Sequence, residues 1–197
     1  MAKVHKDAER IMEAAAQDMG VASGRLATGQ ITVDEWRDAM RDASRRLHTS
    51  STALAQGSWD GVSAREWGYA GAKIKSEYKY LEGFAKDIAS GKVPVYTIDP
   101  VTGERIPAGQ FMARASMYAE SGHGTLEASR RRGEQEAGAQ WERRVLADAE
   151  NCDDCVEYAL MGWQPIGTLP EIGDSACKSN CRCEFEFADG AKPGDDE

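Results

Sequence analysis

The sequence predicts a mainly α protein, α+β overall, with an elongated helical N-terminal part over 1–138 leading into a small zinc-stapled α+β module over 139–188. Three observations predict it. Apolar residues recur at steps of three and four over most of the chain as far as Ala137. Two stretches, Ile31 to Trp36 and Val62 to Trp67, spell the same helix-start signal. All five cysteines fall in two tight clusters near the C-terminal end.

The 197 residues, 41% hydrophobic and 29% charged, suffice for one good core or two small ones. No apolar run approaches the ~20 residues of a membrane helix, and Met1 to Lys6 lacks a signal-peptide segment, so no membrane contact and folding in a cytosol are expected. A net charge of −9 argues against a protein that coats nucleic acid as a whole.

Val4, Ala8, Ile11, Ala15 and Met19 form one stripe, predicting a first helix from Lys3 to about Met19, with Gly20, Gly24 and Gly29 interrupting the segment beyond it. Thr32 and Glu35 make a capping box, with Ile31 and Trp36 as its hydrophobic staple, and the second helix carries Val33, Trp36, Met40, Ala43 and Leu47. Ser63 and Glu66 repeat the box. The third helix runs from there through Trp67, Ala70, Ile74, Tyr78, Leu81, Ala85 and Ile88 to a stop at Ser90-Gly91. Residues 92–107, with three prolines and a Pro-Val-Thr-Gly turn, read as a short hairpin or extended loop inserted in the helical region.

A fourth helix is expected from Ala108 to Ala119, broken or kinked at Gly122-His123-Gly124, with Thr125 capping a further helix to Ala137. Arg130, Arg131 and Arg132 wrap around that helix and predict a solvated surface. A strand from Trp141 to Ala147, a helix from Asp153 to Leu160, a loop from Gly162 to Gly173 and a strand from Arg182 to Phe187 complete the module. Residues 189–197 read as a frayed acidic tail.

Cys152-Asp153-Asp154-Cys155 is a C-x2-C knuckle, and Cys177 to Cys183 spells C-x3-C-x-C. Such pairs present thiolates to one tetrahedral zinc, and a shell closed by thiolates alone is structural, whereas catalytic zinc keeps a water position. An odd cysteine count weighs against a disulfide scaffold. Cys152, Cys155, Cys177 and Cys183 are the expected ligands, with Cys181 as the alternative fourth. A unit this small would depend on its metal to fold.

The C-x2-C, Met161-Gly162-Trp163, Ile166-Gly167-Thr168-Leu169-Pro170 and Asn180-Cys181-Arg182-Cys183 together resemble the C-terminal module of Mu F-like phage head morphogenesis proteins, minor capsid proteins of tailed phages. Gly29 to Trp36, Ser76 to Gly91 and Arg114 to Ala119 are similar to that family's upstream region. Where the family's second cluster reads His-x-x-Cys-x-Cys, Cys177 stands near the histidine's place with one additional spacer residue. The resemblance implies a virion protein made in the host cytoplasm and present in several copies in the head interior, portal or neck. Its implied partners are the portal and major capsid proteins, with possible contact to packaged DNA.

Two other classes compete. A zinc-knuckle nucleic-acid-binding or adaptor protein would present basic residues, yet Asp153, Asp154, Glu157, Glu184 and Glu186 surround the clusters. An enzyme is not expected: His5, His48 and His123 lie in no nucleophile or metal-base motif, and no glycine-rich phosphate loop follows a strand.

Overall fold

Thr32 accepts the Glu35 amide while Glu35 reaches back to the Thr32 amide at 2.8 Å, so the capping box starts the second helix where the sequence places it. The computed structural model describes residues 2–148 and 150–194, with side chains from position 6 onward. The side chain of Val4 of the first stripe and the last three residues of the expected acidic tail lie outside that description.

The order is α1 (Ala2–Ala27), α2 (Val33–Ala55), α3 (Ala64–Ala89), a hairpin of β1 (Tyr96–Ile98) and β2 (Arg105–Pro107), then α4 (Gly109–Ala137). After it come β3 (Trp141–Val145), α5 (Asp153–Leu160), β4 (Gln164–Pro165), one 3-10 turn at Lys178–Asn180 and β5 (Glu184–Ala188). The protein is thus a mainly helical N-terminal part joined to a small α+β region that carries clustered cysteines. β3 is the centre of a three-stranded antiparallel sheet, pairing with β5 from Trp141↔Ala188 to Val145↔Glu184 and with β4 at Trp141↔Pro165. None of the described helices is long and apolar enough to cross a membrane.

α1, α2 and α4 pack on one another, while α3 packs on α2 and barely touches α4. Their shared core holds Met19, Met40, Leu47 and Leu81 around three fully buried rings, with Trp36 5.2 Å from Phe84 and 5.6 Å from Phe111. The indole N–H of Trp36 donates to Ser23 Oγ at 3.1 Å, so the ring is buried without an orphaned donor. A second apolar cluster gathers Leu169, Ile172, Phe185 and three of the cysteines.

Two expected interruptions are absent. α1 continues through Gly20 and Gly24 because Ala22 and Leu26 extend its buried stripe, and that burial outweighs roughly 1 kcal/mol per helical glycine. It stops at Gly29, whose φ of 75° only glycine adopts freely. α4 likewise runs unbroken through Gly122-His123-Gly124. Here glycine serves close approach: a Cβ on Gly122 would stand 2.5 Å from Leu47 Cδ1, and one on Gly124 2.9 Å from the Ile172 carbonyl oxygen. Gly124→Ala is therefore expected to destabilise by about 1–3 kcal/mol through overpacking. Gly68→Ala, in open space on α3, should stabilise by about 0.5–1 kcal/mol. Urea midpoints of the two variants check this, and stabilisation by Gly124→Ala would restore the helix-breaker reading.

The inward face of α3 is more polar than its apolar stripe suggests. Glu66 and Glu77 are buried on it, beside Leu81 and Phe84. Ser63 caps the Glu66 amide at 3.2 Å, but the Glu66 carboxylate turns inward to the Arg132 guanidinium at 2.6 and 2.9 Å, so only half of the second capping box forms. Glu77 stands 2.9 Å from His48 Nε2 and accepts the Ser44 hydroxyl at 2.5 Å, and His48 Nδ1 lies 2.7 Å from Thr125 Oγ1. Burial alone would raise the Glu77 carboxyl. The hydrogen bond and charge of His48, with Ser121 and Ser44, outweigh burial and hold it below its ordinary value of 4.5. A depressed carboxyl contributes stability that is complete above its unfolded value and lost as pH falls through the lower folded one. Acid should therefore erode stability below about pH 4.5, and Glu77→Gln should flatten that limb of the pH profile.

The three adjacent arginines do not form a solvated surface. Spaced by about 100° around α4, each meets a different buried glutamate: Arg130 pairs with Glu127 at 2.6 Å, Arg131 with Glu142 at 2.7 Å, and Arg132 with Glu66 at 2.6 Å. Burial pulls the Arg131 guanidinium below the ordinary arginine value, against the pull of Glu142 and Glu171.

Candidate metal centre

α4 and β3 build the platform on which the cysteines converge. Glu127 Oε2 accepts the Phe185 amide at 3.0 Å and so seats β5 on α4. Glu142 Oε1 accepts the Leu169 amide at 2.9 Å, while Arg131 donates to the Leu169 carbonyl at 2.8 Å. The His123 ring donates through Nε2 to the Cys183 carbonyl at 2.8 Å, which makes it a positioning group for the second cysteine cluster.

Cys152 is the N-cap residue of α5 and Cys155 sits in that helix's first turn, so the C-x2-C spacing brings both sulfurs to the helix start. The second cluster comes from the turn at 177–181, where Lys178 adopts a left-handed φ of 47° and reverses the chain. Asp154 Oδ2 accepts the Ala176 amide at 2.8 Å and clamps the two clusters together. β5 begins at Glu184, later than the expected Arg182, so Cys181 and Cys183 stay out of the ladder. β4 occupies part of the expected loop, and β3 ends at Val145, before the expected Ala147.

All five cysteines are free thiols and all come together. Their sulfurs form two groups, Cys152, Cys155 and Cys177 in one, and Cys155, Cys181 and Cys183 in the other, with Cys155 in both. Cys152 Sγ lies 3.4 Å from Cys177 Sγ, and Cys155 Sγ lies 3.6 Å from Cys177 Sγ and 3.7 Å from Cys181 Sγ. A tetrahedron with ~2.3 Å zinc–sulfur bonds has edges of ~3.8 Å, so these three separations are of the size that one ion's shell needs, while the sulfurs as placed divide into two groups of three that share Cys155. Cys183 Sγ, by contrast, is directed at Asn151 Oδ1, 3.5 Å away.

The electrostatics also match a cation. Burial would raise Cys152, but the Cys155 and Cys177 amides and the adjoining thiols bring it down to about 7. Cys181 is lowered against burial by the Cys183 amide and its thiol neighbours, with a further amide from Gly173. Burial pushes Cys155 and Cys177 up to about 12. Burial raises Cys183 as well, and a metal ion bound among these close sulfurs would hold its ligands deprotonated. The Arg144 guanidinium, 2% exposed and 4.0 Å from Cys181 Sγ, adds a fixed positive charge. Sequence reasoning missed Arg144, Glu127 and Glu142: in β3 the buried face is the one that carries Glu142 and Arg144, opposite the apolar Trp141 and Val145, so the strand's own alternation gives no signal for them.

Comparison with protein-family models, with characterised proteins and with solved structures finds no match, so the site is identified by its own geometry, as a cysteine cluster that can bind a metal ion such as zinc.

Proposed function

We propose that this centre holds one structural zinc ion and that the chain is an assembly protein of a tailed-phage head, a minor capsid or head morphogenesis protein docking to the portal or inner shell. The observation that carries the zinc reading is the convergence of every cysteine on one place, with neighbouring sulfurs 3.4 to 3.7 Å apart. Cys152, Cys155, Cys177 and Cys181 are the ligands. Cys181 is preferred over Cys183 because it lies 3.7 Å from Cys155 and beside Arg144, while Cys183 engages Asn151. Four thiolates close the shell and leave no position for a reacting water, so the ion staples and does not catalyse.

The assembly reading rests on the resemblance carried by Trp141 to Phe187. It is supported by exposed apolar side chains of the kind buried at contacts: Leu160 and Met161 at the end of α5, and Ile98 and Val101 along the hairpin. Elemental analysis under reducing conditions should give about one zinc per chain. Quantitative mass spectrometry of purified particles should find the chain in a few copies. Its absence from particles would end the assembly reading and leave the zinc reading intact, while salt-dependent retention on DNA would favour an adaptor.

A further inference from the structure

Because α3 leans on α2 and barely touches α4, an open groove of about 650 Å³ remains between α3, α4 and the cysteine turn, within the usual size range of small-ligand sites. Tyr80, 69% exposed, and Met117, 40% exposed, give it an apolar wall. Two features at its polar end lack partners. The Ser179 Oγ is buried without a hydrogen-bond partner among the described residues, a state that native structures rarely tolerate. The Lys178 ammonium makes no ion pair among the described residues.

The other charges bordering the groove are already satisfied. Arg114 is held by Asp87 at 3.0 Å, and Glu77 by His48 and Ser44. Among the described residues, Lys178 is therefore the one charge in this groove left to a ligand. An adjoining cavity of about 90 Å³ adds Lys73 and Asp174, one charge of each sign. Lys178 also carries its left-handed backbone where glycine would be unstrained, so the side chain is present at a conformational cost.

We propose that this groove binds a small aromatic carboxylate, its anionic end held by Lys178 and Ser179 and its ring laid against Tyr80 and Met117. An ammonium and a hydroxyl on adjacent residues that line one groove with Tyr80 suit that combination, because hydrogen bonds to an ionised acceptor are the stronger kind. The turn that presents both polar groups is bounded by Cys177 and Cys181, so the site is shaped by the cysteine centre without using its sulfurs.

Calorimetric titration of the full chain, with its metal content measured, against naphthalene-2-carboxylate and the neutral 2-naphthalenemethanol tests this. The carboxylate should bind at one site per chain, and the alcohol at least tenfold more weakly. Lys178→Gly, which relieves the backbone, should keep the metal and the thermal midpoint yet lose at least tenfold in carboxylate affinity, and Tyr80→Ala should weaken both probes. Equal binding of the two probes, undiminished binding by Lys178→Gly, or no saturable carboxylate binding at millimolar concentration would overturn the proposal. Because metal content is read in the same samples, failure of the groove and failure of the zinc reading are distinguishable.

Discussion

Cys155→Ser is expected to release the metal and unfold the α+β region, the largest effect of any single substitution in this chain. Cys155 is fully buried and its sulfur belongs to both thiol groups, so no other cysteine can replace it from where it stands. Structural zinc contributes on the order of 10 kcal/mol, and a second cluster of so few apolar residues has little to set against its loss. Zinc per chain should fall to near zero by elemental analysis, with faster amide exchange from Trp141 onward. The exchange should also quicken in the last turns of α4, since Glu127 and Arg131 lose Phe185 and Leu169. Cys181→Ser should come next in severity and Cys183→Ser last. A Cys155→Ser protein that still retains one zinc would sink the proposed ligand set.

Glu142→Ala should destabilise by about 3–5 kcal/mol, because it strands the buried Arg131 guanidinium and leaves the Leu169 amide without its acceptor. Both side chains are nearly inaccessible, at 9% and 0% exposure, so solvent cannot take over the role of the lost partner. Arg131 also lies 4.1 Å over the Phe185 ring, a cation–π contact that offsets only part of the loss of its carboxylate partner. Pairing Glu142→Leu with Arg131→Met should recover much of the loss, since removing both charges removes the stranded one. Urea denaturation of the single and double variants decides this, and a single-variant cost below about 1 kcal/mol would place the pair in solvent.

What the sequence makes legible is what local rules govern. The Thr32 box and the apolar stripes of α2 and α4 follow from spacing alone, and so does the meeting of two cysteine clusters whose ligand chemistry is specific. The glycines of α4 are misread because a glycine that breaks a helix and one that admits a neighbour look identical until Leu47 and Ile172 arrive. Glu66 and the three arginines are misread for a related reason. Charge predicts solvent only when no partner waits inside, and the partners of Arg131 and Arg132 lie 11 and 66 residues away. The turn that carries Cys177 and Cys181 contains a left-handed Lys178, a conformation that Gly, Asn or Asp would have signalled and that lysine does not.

The uninterrupted α4 has a consequence for how this chain can change in length. Gly122 and Gly124 set the rotation of the helix against α2 and the Ile172 loop, and from that setting Arg131 and Arg132 each address a glutamate on another element. One residue inserted or deleted between Gly124 and Glu127 would turn every later side chain by about 100° and mismatch the Arg131–Glu142 and Arg132–Glu66 pairs at once, while the Arg130–Glu127 pair, internal to the helix, would turn with it. Substitutions there can be compensated one at a time, but a frame slip cannot. At the hairpin tip, Pro100 to Gly103 are exposed in a turn that Asp99 closes by accepting the Val101 amide, so added residues there would leave α4 in place. Lengthening through descent, or by a deliberate insertion library, should therefore concentrate at that tip and be silent across the second half of α4.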